Sequence, residues 1–152
     1  MPIREWDLAA AQDVCPAEVG VNRGVNGIDG QLSTFFGFCS PSRVNWAVVG
    51  DLTTLYDLSA PSIVNLIPET RFRIVIINNS GGQIFRRMFR SPLFQNQHKI
   101  EFRKWAEMWG LSYYRYTEIP EIPPTDVRSV IEVLPNSGAT EQFWDSLAAI
   151  AA

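Results

Sequence analysis

Two hydrophobic periods alternate along this chain. Ile74-Val75-Ile76-Ile77 has no polar alternation, as expected of a strand covered on both faces. Residues 46–49 (WAVV) read the same way. Helical spacing joins Ile28, Leu32, Phe35 and Phe36 over residues 27–38, a pattern that stops near Pro41. It returns in Leu55, Leu58, Ile63, Leu66 and Ile67 over 53–67, where Pro61 predicts an irregularity. Phe102, Trp105, Ala106 and Trp109 make residues 100–109 amphipathic, with Gly110 placed to cap the helix end. The pattern adds a short helix over 5–12, a short strand over 19–22, strands over 112–116 and 130–134, and a closing helix over 140–149. Residues 118–124 (EIPEIPP) form a proline-rich, extended connection.

Strands that alternate with helices predict an α/β fold: a doubly wound, mainly parallel sheet with helices on both faces, in three layers. With 152 residues, 46% of them apolar, the chain can bury one core and has little room for a second. Residues 1–152 are therefore read as a single domain. Thirteen basic against sixteen acidic residues give a net charge of −3 without a basic run, which argues against nucleic acid as a partner. The opening MPIRE carries a proline and two charges where a signal peptide needs an apolar stretch, and no segment approaches the roughly 20 apolar residues of a membrane span. A cytoplasmic protein is expected. Cys15 and Cys39 lack any CxxC spacing and read as reduced thiols.

Candidate chemistry gathers at the ends of the strands over 46–49 and 74–77. Gly50-Asp51-Leu52 closes one, and after 25 residues Asn78-Asn79-Ser80-Gly81-Gly82 closes the next. Ligands of such sheets bind beyond the carboxyl ends of the strands, where turns leave main-chain groups free. Mg²⁺ takes an octahedral set of oxygens, part from protein and the rest from phosphate and water. Asp51 could supply a carboxylate oxygen, Asn79 an amide oxygen and Gly81 a main-chain carbonyl, with a diphosphate and a water completing the shell. Each feature has a plainer reading: Asp51 as a helix cap, and the Asn-Gly segment as a tight turn. Their joint position at strand ends, 28 positions apart, favours a site. Asp51 is expected at an exposed strand end, so that removing it should leave the fold intact. Asn22-Arg23-Gly24 leading into Gly27-Ile28-Asp29-Gly30 places a third turn at the same edge. The single histidine, His98, rules out a His-rich zinc site within the chain. It reads first as a loop or helix-capping residue, and second as a contact at the rim of a site.

Gly50-Asp51 with Asn78-Asn79 resembles the cofactor signature of thiamine diphosphate enzymes. That signature usually has glycine where this chain has Leu52. The runs NRGVNGIDGQLSTFFG (22–37), VGDLTTLYDLSA (49–60) and IINNSGGQIF (76–85) are similar to one branch, the MenD family of 2-succinyl-5-enolpyruvyl-6-hydroxy-3-cyclohexene-1-carboxylate synthases. The resemblance implies the carboxyl-terminal, diphosphate-binding domain alone. The pyrimidine-binding domain, which carries the activating glutamate, and the central domain would lie elsewhere, so no catalytic residue is expected in this chain.

Carried over residue by residue, the resemblance implies thiamine diphosphate and Mg²⁺ as cofactors. Asp51, Asn79 and the Gly81 carbonyl would hold the metal; Gly27, Ile28, Gly50, Leu52 and Gly82 would complete the cofactor site, with Ile28 bending the cofactor. Arg4 and Arg23 would bind substrate carboxylates, as guanidinium forks suit them. Ile84, Phe85 and Met88 would wall the reacting centre. The implied reaction is decarboxylation of 2-oxoglutarate and addition of the resulting carbanion to isochorismate in menaquinone biosynthesis, with homo-oligomers expected. Other readings are an acetolactate synthase-like carboligase or 2-oxoacid decarboxylase, a binding-only module, and a receiver domain. The last needs an acidic pair where this chain has Asn22-Arg23.

Overall fold

The computed structural model of the chain describes residues 20, 22, 27–86, 89, 91–118 and 124–150. The predicted helix over 5–12 and most of the predicted strand over 19–22 lie outside them. In chain order the elements are helix α1 (Gln31–Phe38), strand β1 (Val44–Gly50), helix α2 (Asp51–Tyr56), a 3-10 segment (Ala60–Leu66) and strand β2 (Arg71–Ile77). Two 3-10 turns (Gln83–Phe85 and Pro92–Gln95) lead to helix α3 (Arg103–Met108), strand β3 (Ser112–Tyr116), strand β4 (Arg128–Val133) and helix α4 (Ser137–Ile150).

The four strands form one all-parallel sheet in the order β1-β2-β4-β3. Parallel neighbours need crossovers, and helical segments lie between β1 and β2 and between β2 and β3, which is the α/β class the sequence predicts. On one sheet face Ala47, Val49, Phe72, Ile74, Ile76 and Val130 are buried. They pack with Leu32 and Phe36 of α1, Ala60 and Val64 of the 3-10 segment, and Phe102, Trp105 and Ala106 of α3. Phe36 meets Phe72 edge to face at 5.1 Å. On the opposite face Ile77 and Ile131 are buried, while Trp46 and Val48 are about half exposed, which corrects the expectation that residues 46–49 are covered on both faces: the edge strand β1 packs its core on one side.

Element boundaries depart from the sequence pattern at three places. The helix predicted from residue 27 begins at Gln31, because Gly30 turns the chain left-handed at φ 67° before the first helical residue. The single helix predicted over 53–67 is two segments. An α-helix would need a Pro61 N–H to bond the Asp57 carbonyl; proline has none, and the Ala60 N–H takes that carbonyl at 3.1 Å instead. The Asp57 carboxylate also accepts hydrogen bonds from the N–H (2.8 Å) and hydroxyl (2.9 Å) of Ser33, which tie α1 to the end of α2. The helix predicted from residue 100 begins at Arg103, since Ile100 and Phe102 bond to side chains of other elements. Gly110 closes α3 as expected: at φ 67° it lets its own N–H reach Glu107 and the Leu111 N–H reach Ala106. Among the described residues no helix is long and apolar enough to cross a membrane.

Candidate functional site

Strands β1 and β2 are adjacent and paired in register to their last residues, Gly50 opposite Ile77. The residues that follow must therefore emerge side by side. Asp51 opens α2, and its carboxylate crosses to the other strand's turn: Oδ2 accepts the Gly81 N–H at 2.8 Å, while Oδ1 accepts the Leu52 N–H at 2.8 Å. Both plain readings are thus physically present, a local helix-start bond and a tight turn, but one carboxylate joins them. Asp51 is 3% exposed, which corrects the expectation of an exposed strand end. Burial raises its pKa above the ordinary carboxylate value, against smaller lowering influences from the Gly81 and Leu52 N–H groups and His98.

The turn itself is shaped by two residues with positive φ, Ser80 at 64° and Gly81 at 129°. Gly81 also passes close to the segment after the second 3-10 turn. A Cβ there would stand 2.5 Å from the Gln95 carbonyl oxygen and 3.0 Å from that of Asn96, so only glycine fits. The neighbouring Gly82 N–H donates to the Gln95 carbonyl at 2.6 Å, and Asn78 Nδ2 donates to the Ile100 carbonyl at 2.8 Å. Residues 95–100 are thereby laid across the turn. His98, in that segment, brings Nε2 to 3.2 Å from Asp51 Oδ2 and accepts the Ile100 N–H on Nδ1 at 3.2 Å. The sole histidine thus meets both readings of its position, a loop residue that accepts a main-chain N–H ahead of α3 and a side chain beside Asp51.

The residues predicted for the site divide by location. Gly50, Asp51, Leu52, Asn79, Gly81 and Gly82 come together at the ends of β1 and β2. Ile84 and Phe85 follow in the adjoining 3-10 turn, and Phe85, 40% exposed, begins an open aromatic series with Phe89 and Phe94 at centroid spacings of 6.4 and 4.7 Å. Gly27 and Ile28 are exposed on the approach to α1. Arg4, Arg23 and Met88 lie outside the described residues. Sequence reasoning missed Gln95 and Glu132. Gln95 acts through its main chain, which no side-chain pattern reports. Glu132 carried a signal: it is a carboxylate inside the apolar run Val130-Ile131-Glu132-Val133-Leu134.

The donors at this turn fit a hard divalent cation. The Asn79 side-chain oxygen is buried and has no hydrogen-bond partner, a costly state unless something else occupies it. Two residues on, the Gly81 N–H is held by a buried carboxylate with lone pairs left over from its main-chain bonds, and the Gly81 carbonyl accepts, among the described residues, the Gln83 N–H at 2.8 Å. Among the described residues no group of three or more His, Cys, Asp or Glu side chains could hold a metal, so any metal here would rest on oxygens of mixed origin, as suits Mg²⁺ rather than zinc.

Fold and geometry together define an α/β domain with a candidate ligand site at the carboxyl ends of two adjacent parallel strands. No protein-family profile matches the chain. Individual relatives do. It is 49% identical over 148 residues to the 2-succinyl-5-enolpyruvyl-6-hydroxy-3-cyclohexene-1-carboxylate synthase of Bdellovibrio bacteriovorus, covering 95% of this chain and 28% of that enzyme. Enzymes of the same name from Akkermansia muciniphila (33% over 157 residues; 94% of this chain, 29% of the enzyme) and Rubrobacter xylanophilus (36% over 121; 74% and 21%) are similar too. The chain is thus similar to these synthases across nearly its whole length, and it spans under a third of the length of those it matches.

Proposed function

We propose that this chain is the diphosphate- and Mg²⁺-binding part of a thiamine diphosphate-dependent synthase that decarboxylates 2-oxoglutarate and joins the product to isochorismate in menaquinone biosynthesis. The name shared by its relatives supports the reaction, and the turn at the ends of β1 and β2 supports the cofactor. One observation carries the reading: the buried Asn79 oxygen, without a hydrogen-bond partner among the described residues, in the turn whose Gly81 N–H the buried Asp51 carboxylate holds.

Asp51, Asn79 and the Gly81 carbonyl would hold the cation, and the cation would hold the diphosphate. Gly50, Leu52 and Gly82 keep the two strand-end turns close enough to serve one ligand. Thiamine diphosphate, when bound, supplies the electron sink that decarboxylation of a 2-oxoacid needs. This chain's own contribution is to orient and enclose. Ile28 would press on the cofactor, and Ile84, Phe85 and Met88 would exclude water from the reacting centre. Arg4 and Arg23 would pair with the carboxylates of the two substrates. The chain would be completed by the pyrimidine-binding and central domains and would assemble as a homo-oligomer.

Titration calorimetry with thiamine diphosphate, with and without Mg²⁺, tests the assignment. Binding should require Mg²⁺ and should be lost in Asn79→Ala, which deletes a donor without disturbing any hydrogen bond made by its side-chain oxygen. Equal affinity in Asn79→Ala and the parent chain would overturn the metal site.

A further inference from the structure

Glu132 is fully buried on β4, with no exposed surface at all, and its carboxylate accepts from three elements at once. Oε1 accepts from Asn78 Nδ2 at 2.5 Å; Oε2 accepts the Phe102 N–H at 3.1 Å, at the start of α3, and the Tyr113 hydroxyl of β3. Burial, followed by the hydrogen bond to Glu132 and its charge, pushes the Tyr113 hydroxyl pKa up, which keeps that group a donor. A buried carboxylate without a cation is expensive, so its place in the strand needs a reason beyond packing.

The reason lies one residue upstream of the metal turn. Asn78 spends its amide on three partners: Nδ2 donates to Glu132 and to the Ile100 carbonyl, and Oδ1 accepts the Ser80 N–H at 3.2 Å. Glu132 therefore fixes which way the Asn78 amide faces, since a carboxylate can only accept. With Nδ2 held toward β4, Oδ1 is left for Ser80, whose positive φ sets the direction of Asn79 and Gly81. The same carboxylate anchors Phe102, and so the end of the 95–100 segment that lies across the turn.

We propose that Glu132 is the positioning residue of the cation site: through Asn78 it holds the Asn79 oxygen and the Gly81 carbonyl where a divalent cation can take both. The inference rests on the metal-site reading above and adds a residue outside the Asp-Asn motif. Partners that orient a metal's ligands typically cost about 10- to 100-fold in metal affinity when changed.

The test measures Mg²⁺-dependent thiamine diphosphate affinity and amide hydrogen exchange in the full chain and in Glu132→Gln, Asn79→Ala and Val130→Ala. Val130 is equally buried on the same strand but belongs to the apolar core, so its variant reports what general loosening does. Glu132→Gln should weaken binding about 10- to 100-fold and speed exchange at Ser80 and Gly81 selectively, while Val130→Ala should spare both. Glu132→Asp, which keeps the charge, should recover part of the loss and serves if the glutamine variant does not fold. Unchanged affinity in Glu132→Gln, or a loss matched by Val130→Ala, overturns the positioning role. If the parent chain shows no Mg²⁺-dependent binding, the metal reading fails by itself. The exchange rates of Ser80 and Gly81 then decide whether Glu132 holds the turn: no change in Glu132→Gln overturns the proposal.

Discussion

Asp51 has two roles that pull against each other. It stitches two strand ends together through the Leu52 and Gly81 N–H groups, and in the proposed function it would offer charge to a cation from a buried position. Asp51→Ala should therefore do more than abolish Mg²⁺-dependent cofactor binding. Two main-chain donors lose their acceptor, at a cost of about 1–3 kcal/mol that urea denaturation would read. Asp51→Asn keeps the shape but offers one acceptor oxygen in place of two, so one of those N–H groups is left facing the new amide; binding should fall nearly as far as in Asp51→Ala, because the lost charge would face phosphates. Its pH dependence follows from the raised pKa, 3.8 being the ordinary value. The native carboxyl holds its proton to higher pH than the unfolded one, so the stability it contributes is full below the ordinary value and is lost as pH rises through the raised one. Without Mg²⁺, Asp51→Asn should gain on the parent chain in urea midpoint between pH 4 and neutrality. A constant gap across that range would mean that Asp51 is ionised as readily in the fold as out of it. Gly81→Ala should also be severe. The new methyl group meets a carbonyl oxygen, and the φ of 129° is strained for any side chain, so a loss of about 1–3 kcal/mol in thermal or urea unfolding is expected. Asp51, Asn79 and Gly81 could be singled out in the sequence because two oxygen-bearing turns follow two apolar strands with 28 positions between Asp51 and Asn79; Asp51's burial was not legible, because it accepts the Gly81 N–H and stands against His98, both distant in sequence.

The strands and the helix caps were the most legible of the elements. Unbroken β-favouring runs gave β1 and β2 their positions, and Gly110 gave α3 its end. The misses came where a side chain from a distant element took over a main-chain group. Asn78 and Glu132 claim Ile100 and Phe102 and delay the start of α3; Asp57 claims Ser33 and helps stop α2 early. Asp57 is buried and is the main polar tie between α1 and the end of α2, so Asp57→Ala should cost about 1–3 kcal/mol in urea unfolding. Asn79 and Gly81 stand on a different segment, so cofactor affinity should move little by comparison. A collapse of Mg²⁺-dependent binding in Asp57→Ala would show instead that α1 and the turn are one unit.

Over the whole chain, an all-parallel sheet brings its functional ends to one edge, and a ligand there has one wall from this chain. The relatives are more than three times as long as the segment matched. The 152-residue chain by itself is therefore expected to bind thiamine diphosphate weakly and to leave 2-oxoglutarate untouched. Release of carbon dioxide from 2-oxoglutarate by the purified chain would refute the view that it supplies only one wall. Near the site Phe85, Phe89, Leu93 and Phe94 are all exposed, and on the open sheet face so are Trp46 and Val48. Apolar surface of this extent favours association, and light scattering at high concentration should find species larger than a monomer.

The sequence alone determined the strand–helix alternation and the class of sheet, and it placed oxygen-bearing residues at two strand ends, because each depends on residue types within one turn or strand. Tertiary structure alone decided that those ends are neighbours, that Asp51 is buried, that His98 touches it, and that Glu132 braces the turn from β4. Each of these joins residues roughly 20 to 55 positions apart, through sheet order and hydrogen bonds between elements, and local periodicity has no access to either.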